Sequence, residues 1–424
     1  MISHQSAPKG ASVNDGISKK EFEIKYENVA HAAKWIRFYG QNCQLVKVDI
    51  KEAYRNLPIH PLDQTLQGVV CEGKLYFDRC LAFGNRAAPG IFCRFADLIA
   101  WMAVDQGLPA ILHYIDDFLI AIPRGGSEAK NLFLRLLEVL GVPYKPSKLV
   151  GPTTQLVFLG ITLNTTTMAA SIPETKRDEV LELLNQWREK RWCFVDELRS
   201  LIGVLIWIGQ VMPLGRVFIQ SFIEKAKRHS GVRTRCSLGA QHKKNLNWWI
   251  ETLPKWKGIY LLEEEEWSGP ERTNLFTDAS DIGGGAVYNK FFLHFRWRKN
   301  VDLNEYTIQF REMFTIVAAM LTFQRFWKKK RYYLETDSMP NIGTVAAGRC
   351  HNKLVQRLIH NFYSIQACGS YAVRLRYVES AMNKDADDLS RGLSAMFIRR
   401  NPNAIRLAVV APTSFRHLII PDHE

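Results

Sequence analysis

The sequence predicts an α+β chain of several domains. Three observations carry this. Its 424 residues are enough for about two to four domains. Residues 45–163 and 272–392 each alternate short apolar strands with helices, and several of these strands end in an acid. Between them, residues 174–253 are helical in period, punctuated by Gly203, Gly209 and Pro213.

Apolar content of 47% and charged content of 23% are ordinary for a globular protein, whereas the net charge of +14 is not. A basic excess of that size points to a polyanionic partner, most often nucleic acid. The eight cysteines are scattered without a Cys-x-x-Cys, which excludes a zinc ribbon and a disulfide framework. Reduced thiols in an intracellular protein are the expectation, with cytoplasm and nucleus both open. The longest apolar run, Leu201 to Met212, is too short to span a bilayer, so no membrane role is expected.

Taken in order, residues 1–20 are polar and rich in Gly, Ser and Lys. A short strand and a helix around Val29–Phe38 are expected next, followed by the strand Leu45–Ile50. Lys51–Leu57 reads as helical, stopped by Pro58 and Pro61. Cys71–Ala82 reads as a hairpin around Glu72-Gly73. Phe83–Gly90 is a loop that opens into a helix, Ile91–Asp105. Ile111-Leu112 and Phe118–Ile122 are the arms of a second hairpin with Asp116 and Asp117 at its tip. A helix over Ser127–Leu140 and a strand over Leu156–Leu163 complete this part. In the middle, helices are expected at Glu174–Lys190, Val195–Gly209, Leu214–His229 and Ala240–Leu253. The acidic run Glu263–Glu266 reads as a solvated linker. The last part reads as a ββββαβ-type order with interspersed helices. The tail after residue 395 is basic, then apolar.

The Asp116-Asp117 pair is the centre of the first part. A surface Asx turn is the plain explanation for such a pair, and chance alone supplies about one in a chain of this composition. Asp49 changes the weighing, because it also ends an apolar strand. If strand 45–50 pairs beside the hairpin, Asp49 meets Asp116. Two converging carboxylates call for a divalent cation, and oxygen ligands favour magnesium. Two such ions are suited to in-line phosphoryl transfer.

Val48-Asp49-Ile50-Lys51-Glu52-Ala53-Tyr54 and Tyr114-Ile115-Asp116-Asp117 resemble motifs A and C of a reverse transcriptase palm. Phe83-Gly84 with Ala88-Pro89 and Phe92 resembles motif B, Pro146-Ser147-Lys148 resembles motif D, and Phe158-Leu159-Gly160 resembles motif E, the primer grip. All five occur in the family's order. The resemblance implies that Asp49 and Asp116 hold two Mg2+ ions, with Mn2+ as the substitute and Asp117 as a weaker ligand. It implies that Tyr54 is the steric gate that selects dNTPs, and that Lys148 protonates the leaving pyrophosphate. Phe83 and Gly84 would bind template and nucleotide, and Phe158, Leu159 and Gly160 the primer. An ordinary core tyrosine at 54 and a solvated turn lysine at 148 are the plain alternatives.

The last part carries four separated acids: Asp278, Glu312, Asp337 and Asp387. Their order, and the ending Ala386-Asp387-Asp388-Leu389-Ser390-Arg391, resemble a retroelement ribonuclease H. The resemblance implies a second two-metal site on these four acids, cutting the RNA of an RNA–DNA hybrid. Ser12-Val13-Asn14-Asp15-Gly16-Ile17 resembles DIRS-like and Ngaro-like retrotransposons, with gypsy-type elements and pararetroviruses as alternatives.

The implied organisation is a truncated fingers and palm at 1–165, a helical thumb or connection at 166–266, a ribonuclease H-like domain at 267–395 and a tail at 396–424. The implied partners are RNA template, DNA primer, RNA–DNA hybrid and dNTPs. The family grips the triphosphate with basic residues upstream of motif A. Here 48 residues precede Asp49, and His4–Gly10 resembles only the end of that fingers hairpin. Lys9, Lys19 and Lys20 are candidate substitutes. The alternative expectation is therefore a truncated or domesticated copy that binds nucleic acid, or keeps only ribonuclease H.

Overall fold

The computed structural model describes residues 5–126, 128–229, 234–256, 274–327, 331–369 and 371–420. The chain is α+β and divides into two units. Among the described residues the first ends at Lys176 and the second begins at Arg177.

In the first unit, residues 21–28 carry no strand, contrary to expectation; they run unpaired into α1 (Val29–Tyr39). The Asn28 side chain caps this helix by accepting from the N–H groups of Ala30 and His31, and Gly40 ends it at φ 78°. β1 spans Gln44–Asp49. The helix expected at 51–57 shrinks to a 3-10 turn, Ala53–Asn56, because Glu52 takes a left-handed φ of 52° that no α-helix accommodates. β2 (Gly68–Cys71) and β3 (Lys74–Phe77) form the expected hairpin, turning on Glu72 and Gly73 at positive φ. α2 (Ala88–Asp105) carries Pro89 in its first turn, where a missing N–H costs nothing. β4 (Ile111–Tyr114), β5 (Asp117–Ile122), α3 (Glu128–Val139) and β6 (Val150–Thr153) follow. Ser127, the expected start of α3, lies outside the described residues.

The strand expected at 156–163 is two strands. β7 (Gln155–Phe158) and β8 (Ile161–Asn164) pair antiparallel, and β9 (Ala169–Ser171) joins them. Leu159 and Gly160, at φ 51° and 78°, reverse the chain between the two.

The central sheet has the order β4-β5-β1-β6. β1 and β5 run antiparallel with Val46 opposite Ile120 and Val48 opposite Phe118. Side chains alternate along a strand, so this set shares one face. It packs on α2 and α3 through Phe92, Ala96, Phe133 and Leu137, and the Phe118 and Phe133 rings lie 5.3 Å apart. Asp49 and Asp117 fall in the alternate register, opposite each other.

The helical stretch holds α4 (Glu174–Glu189), α5 (Val195–Ile208), α6 (Arg216–Lys227) and α7 (Ala240–Thr252). A strand pair, β10 (Trp192–Phe194) with β11 (Arg235–Ser237), interrupts it. From Arg177 onward these helices belong to one unit with the C-terminal sheet. The linker expected at Glu263–Glu266 lies outside the described residues.

The C-terminal sheet contains β12 (Leu275–Ala279), β13 (Gly283–Tyr288), β14 (Phe291–Arg296), β15 (Arg331–Thr336), β16 (Ala372–Tyr377) and β17 (Ile405–Arg406). Its order is β16-β15-β12-β13-β14-β17. α8 (Ile308–Phe323), α9 (Met339–Ala347), α10 (Lys353–Gly369), α11 (Lys384–Ser390) and α12 (Ser394–Arg400) accompany it. Three strands precede α8 and β15 follows it, so the helix falls between the third and fourth strands of the unit. The tail is part of this unit: β17 pairs parallel with β14, and Phe415 sits 5.2 Å from Phe310, ring to ring.

Candidate active sites

In the first unit the expected convergence occurs. Asp49 ends β1 directly opposite Asp117, and the Ile50 N–H donates to the Asp116 carbonyl at 2.9 Å. Ile115, at φ 55°, makes the tight turn that sets the two hairpin acids at the sheet end. Asp49 is only 3% exposed. Lys145 Nζ lies 2.6 Å from its Oδ1 and Lys148 Nζ lies 2.8 Å from its Oδ2. Burial works against the Asp49 carboxylate, but hydrogen bonds from the two lysines outweigh it and hold the group below the usual carboxylate range. The same contact raises the Lys148 ammonium.

Asp116 and Asp117 go the other way. Burial is the largest cause for both, and the neighbouring Asp49 charge adds to it. Lys47 offsets part of this at Asp117, with Nζ 3.6 Å from Oδ2, while Oδ1 is buried without a hydrogen bond. The cluster thus sets three acids against three lysines, with two of the lysines on Asp49 and one on Asp117.

Tyr54 lies beneath Phe83 and beside Phe92, with ring centroids 4.9 and 6.0 Å away. Burial raises its phenol to about 12, and the charge of Asp116 contributes. Phe83 is exposed, and Gly84 follows it at φ 101°, a conformation that glycine takes without strain. Phe158 is fully buried. Its ring anchors the β7–β8 hairpin and is not available to a primer; the accessible part is the tip, Leu159 and Gly160.

In the second unit the four acids also share one neighbourhood. Asp278 lies on β12 opposite Gly285 of β13. A Cβ on Gly285 would stand 2.5 Å from the Leu389 Cβ and 2.6 Å from the Ala386 carbonyl oxygen, so only glycine lets α11 pack this closely. That packing brings Ser390 Oγ to Asp278 Oδ2 at 2.6 Å. Asn383 ties the start of α11 to β12 through the Thr277 carbonyl at 3.0 Å. Of the two adjacent acids on α11, Asp388 is engaged by Arg400 and Asp387 pairs with Arg391 at 2.7 Å.

Glu312 projects from α8 and accepts from Ser338 Oγ and from Asn341 Nδ2. Asp337 follows β15 and accepts from Ser380 Oγ at 2.8 Å. Burial pushes Asp278 up to about 6, and the charges of Asp337 and Asp387 add to it. Burial pushes Glu312 up to about 7, reinforced by Asp337 and Asp278. Asp278 and Glu312, buried and raised by the acids beside them, are carboxylates whose charge a cation would favour. Among the described residues, however, no three His, Cys, Asp or Glu side chains are gathered as a ready-made metal cage.

Residues 10–163 match the family model described as reverse transcriptase (RNA-dependent DNA polymerase). The match lies wholly within the first unit. The chain is similar to solved structures of the foamy viral protease-reverse transcriptase. One is the dRH form with double-stranded DNA, at 15% identity over 87% of this chain and 62% of that chain, TM-score 0.46. Another is the complex with RNA/DNA hybrid, at 14% identity over 82% and 45%, TM-score 0.40. A third is the complex with dsDNA, at 14% identity over 84% and 72%, TM-score 0.43. The chain thus spans less than two thirds of the first two of these proteins. No curated protein matches it.

Within the matched segment, sequence reasoning missed Lys145, Lys47 and Asn14. Lys145 was within reach, lying three residues before Lys148 in the same Pro/Lys turn. Asn14 fastens the motif B loop from 70 residues away, at the Gly84 carbonyl, which no local pattern announces. In the second unit it missed the serines on three of the four acids; only Ser390 lay in a quoted motif.

Proposed function

We propose that the chain is an RNA-directed DNA polymerase with ribonuclease H activity from a retroelement. The observation that carries the first half is the juxtaposition of Asp49 and Asp116 at one sheet end within a reverse transcriptase domain. Asp116 and Asp117, raised by burial and by the neighbouring acids, are carboxylates that suit a divalent cation. Mg2+ or Mn2+, held by Asp49 and Asp116 in the polymerase site and by Asp278, Glu312, Asp337 and Asp387 in the second, would supply positive charge to the transferring phosphoryl group. Asp117, engaged by Lys47, is the weaker partner. Lys148 keeps its proton at Nζ beside Asp49 and is suited to deliver it to a leaving pyrophosphate. Tyr54, packed under Phe83, excludes a 2′-hydroxyl and so selects dNTPs.

The ribonuclease H reading rests on the gathering of Asp337 and Asp387 beside Asp278, and of Asp337 and Asp278 beside Glu312, and on Gly285, which lets α11 approach. Its substrate is the RNA–DNA hybrid that polymerisation on an RNA template leaves behind. Ser12–Ile17 supports descent from a DIRS-like or Ngaro-like element. A second reading, nucleic-acid binding without polymerisation, draws on the two lysines that already neutralise Asp49.

Paired assays on the whole chain test the proposal. Asp278→Asn is expected to abolish hybrid cleavage and spare primer extension. Asp116→Asn is expected to do the reverse. Cleavage that survives Asp278→Asn contradicts the assignment of the nuclease site. Binding of hybrid with neither activity supports the second reading.

A further inference from the structure

Asn14 is 4% exposed, and its side chain is fully used. Nδ2 donates to Ser6 Oγ and to the Gly84 carbonyl, both at 2.8 Å. Oδ1 accepts the Arg86 N–H at 2.7 Å. The Arg86 guanidinium returns the contact by donating to the carbonyls of Asn14 and of Ile17, the latter at 3.0 Å. One amide thus bridges both sides of the loop that follows Phe83. Its neighbour Asp15 behaves differently. It accepts from Gly10, from Ser12 N–H at 3.1 Å and from Ser12 Oγ, all within its own segment.

The loop that Asn14 holds has a steric task. Gly84 is at φ 101°, and the exposed Phe83 beside it lies on Tyr54 at 4.9 Å. A displacement of that loop by a fraction of an ångström changes how far the Tyr54 ring is backed from above. Groups that position a reacting or discriminating side chain act through such small displacements. Aspartate at position 14 keeps the size but presents an acceptor to the Gly84 carbonyl, where a donor is needed.

We propose that Asn14 is a positioning residue of the nucleotide site: through Gly84 it holds Phe83 against Tyr54 and so sets the preference for deoxy- over ribonucleotides. This rests on reading the Asp49/Asp116 site as a polymerase site that takes dNTPs.

Single-nucleotide primer extension by the whole chain, with dNTP and with rNTP, tests it on wild type, Asn14→Asp, Asn14→Ala and Asp15→Ala, alongside thermal melting. Both Asn14 variants are expected to raise the dNTP KM about tenfold, to leave kcat within about twofold and to lower the dNTP-over-rNTP preference about tenfold. Asp15→Ala is expected to lower the melting temperature and keep the preference. If the Asn14 variants do not fold, Arg86→Lys decides. It loosens the same loop from the other side and should lower the preference in the same way. Unchanged preference in the folded variants, with KM rising equally for both nucleotides, overturns the inference alone. No extension by the wild type removes the polymerase reading on which it rests.

Discussion

Lys145 holds Asp49 twice. Its ammonium lies 2.6 Å from Asp49 Oδ1, and its backbone N–H donates to the Asp49 carbonyl at 2.8 Å. The main-chain bond fixes where β1 ends, and the ion pair fixes the charge of the acid at that end. Lys148 approaches the other carboxylate oxygen from a more exposed position.

The two lysines should therefore separate on mutation. Lys145→Ala removes a cation that holds the Asp49 carboxyl down, so that group rises. Extension should then fail at a higher pH on the acid side than in wild type, as a pH–rate profile would record. Lys148→Ala also removes the candidate proton donor and should lower kcat by about 10²-fold at neutral pH. Identical profiles for the two variants would argue against distinct roles.

Tyr54 should be separable into ring and hydroxyl. Tyr54→Phe keeps the ring under Phe83 and should retain discrimination against rNTPs. Tyr54→Val removes it and should relax discrimination by about 10²-fold in relative kcat/KM. Equal discrimination by the two variants would mean that the ring is a core residue and no gate.

Glu312 and Asp278 predict a pH dependence of stability. Glu312 and Asp278 sit at about 7 and about 6, above their ordinary values of 4.5 and 3.8. A group raised in the folded state binds protons that the unfolded chain has already released. Its contribution is full below the unfolded value and is lost as pH rises through the folded one. Without divalent cations, melting temperature should fall between about pH 4 and pH 8 on account of these groups. Glu312→Gln should flatten part of that fall, and added Mg2+ should restore stability at the upper end in wild type more than in the variant. A variant curve parallel to wild type would contradict this.

Gly285 offers a packing test. Gly285→Ala forces its new methyl group into Leu389 and the Ala386 carbonyl. The expected cost is about 1–3 kcal/mol in chemical denaturation. Hybrid cleavage should drop with it, because α11 carries both Asp387 and the serine that holds Asp278. Unimpaired cleavage would show that α11 can retreat without disturbing the acids.

Much of this was legible in the sequence, for identifiable reasons. Asp49, Asp116, Asp278 and Asp337 each interrupt or end an apolar strand, and period-two patterning fixes where such a residue emerges. α1 and α2 were legible as helices; Asn28 and Pro89, which set their starts, act within one turn of themselves. Long-range and sterically unusual features were not readable. Leu159 and Glu52 adopt positive φ without being glycine, so one expected strand became two and one expected helix a single turn. β17 is two residues long and owes its existence to the edge of β14. The grip of Lys145 on Asp49 crosses 96 residues and is set by the sheet, not by local sequence.

Primer extension on an RNA template, with dNTPs and Mg2+, tests the central claim most directly when wild type and Asp49→Asn are run side by side. The account predicts extension by the wild type and none above background by the variant, with hybrid cleavage equal in both. Extension that persists in Asp49→Asn would contradict it.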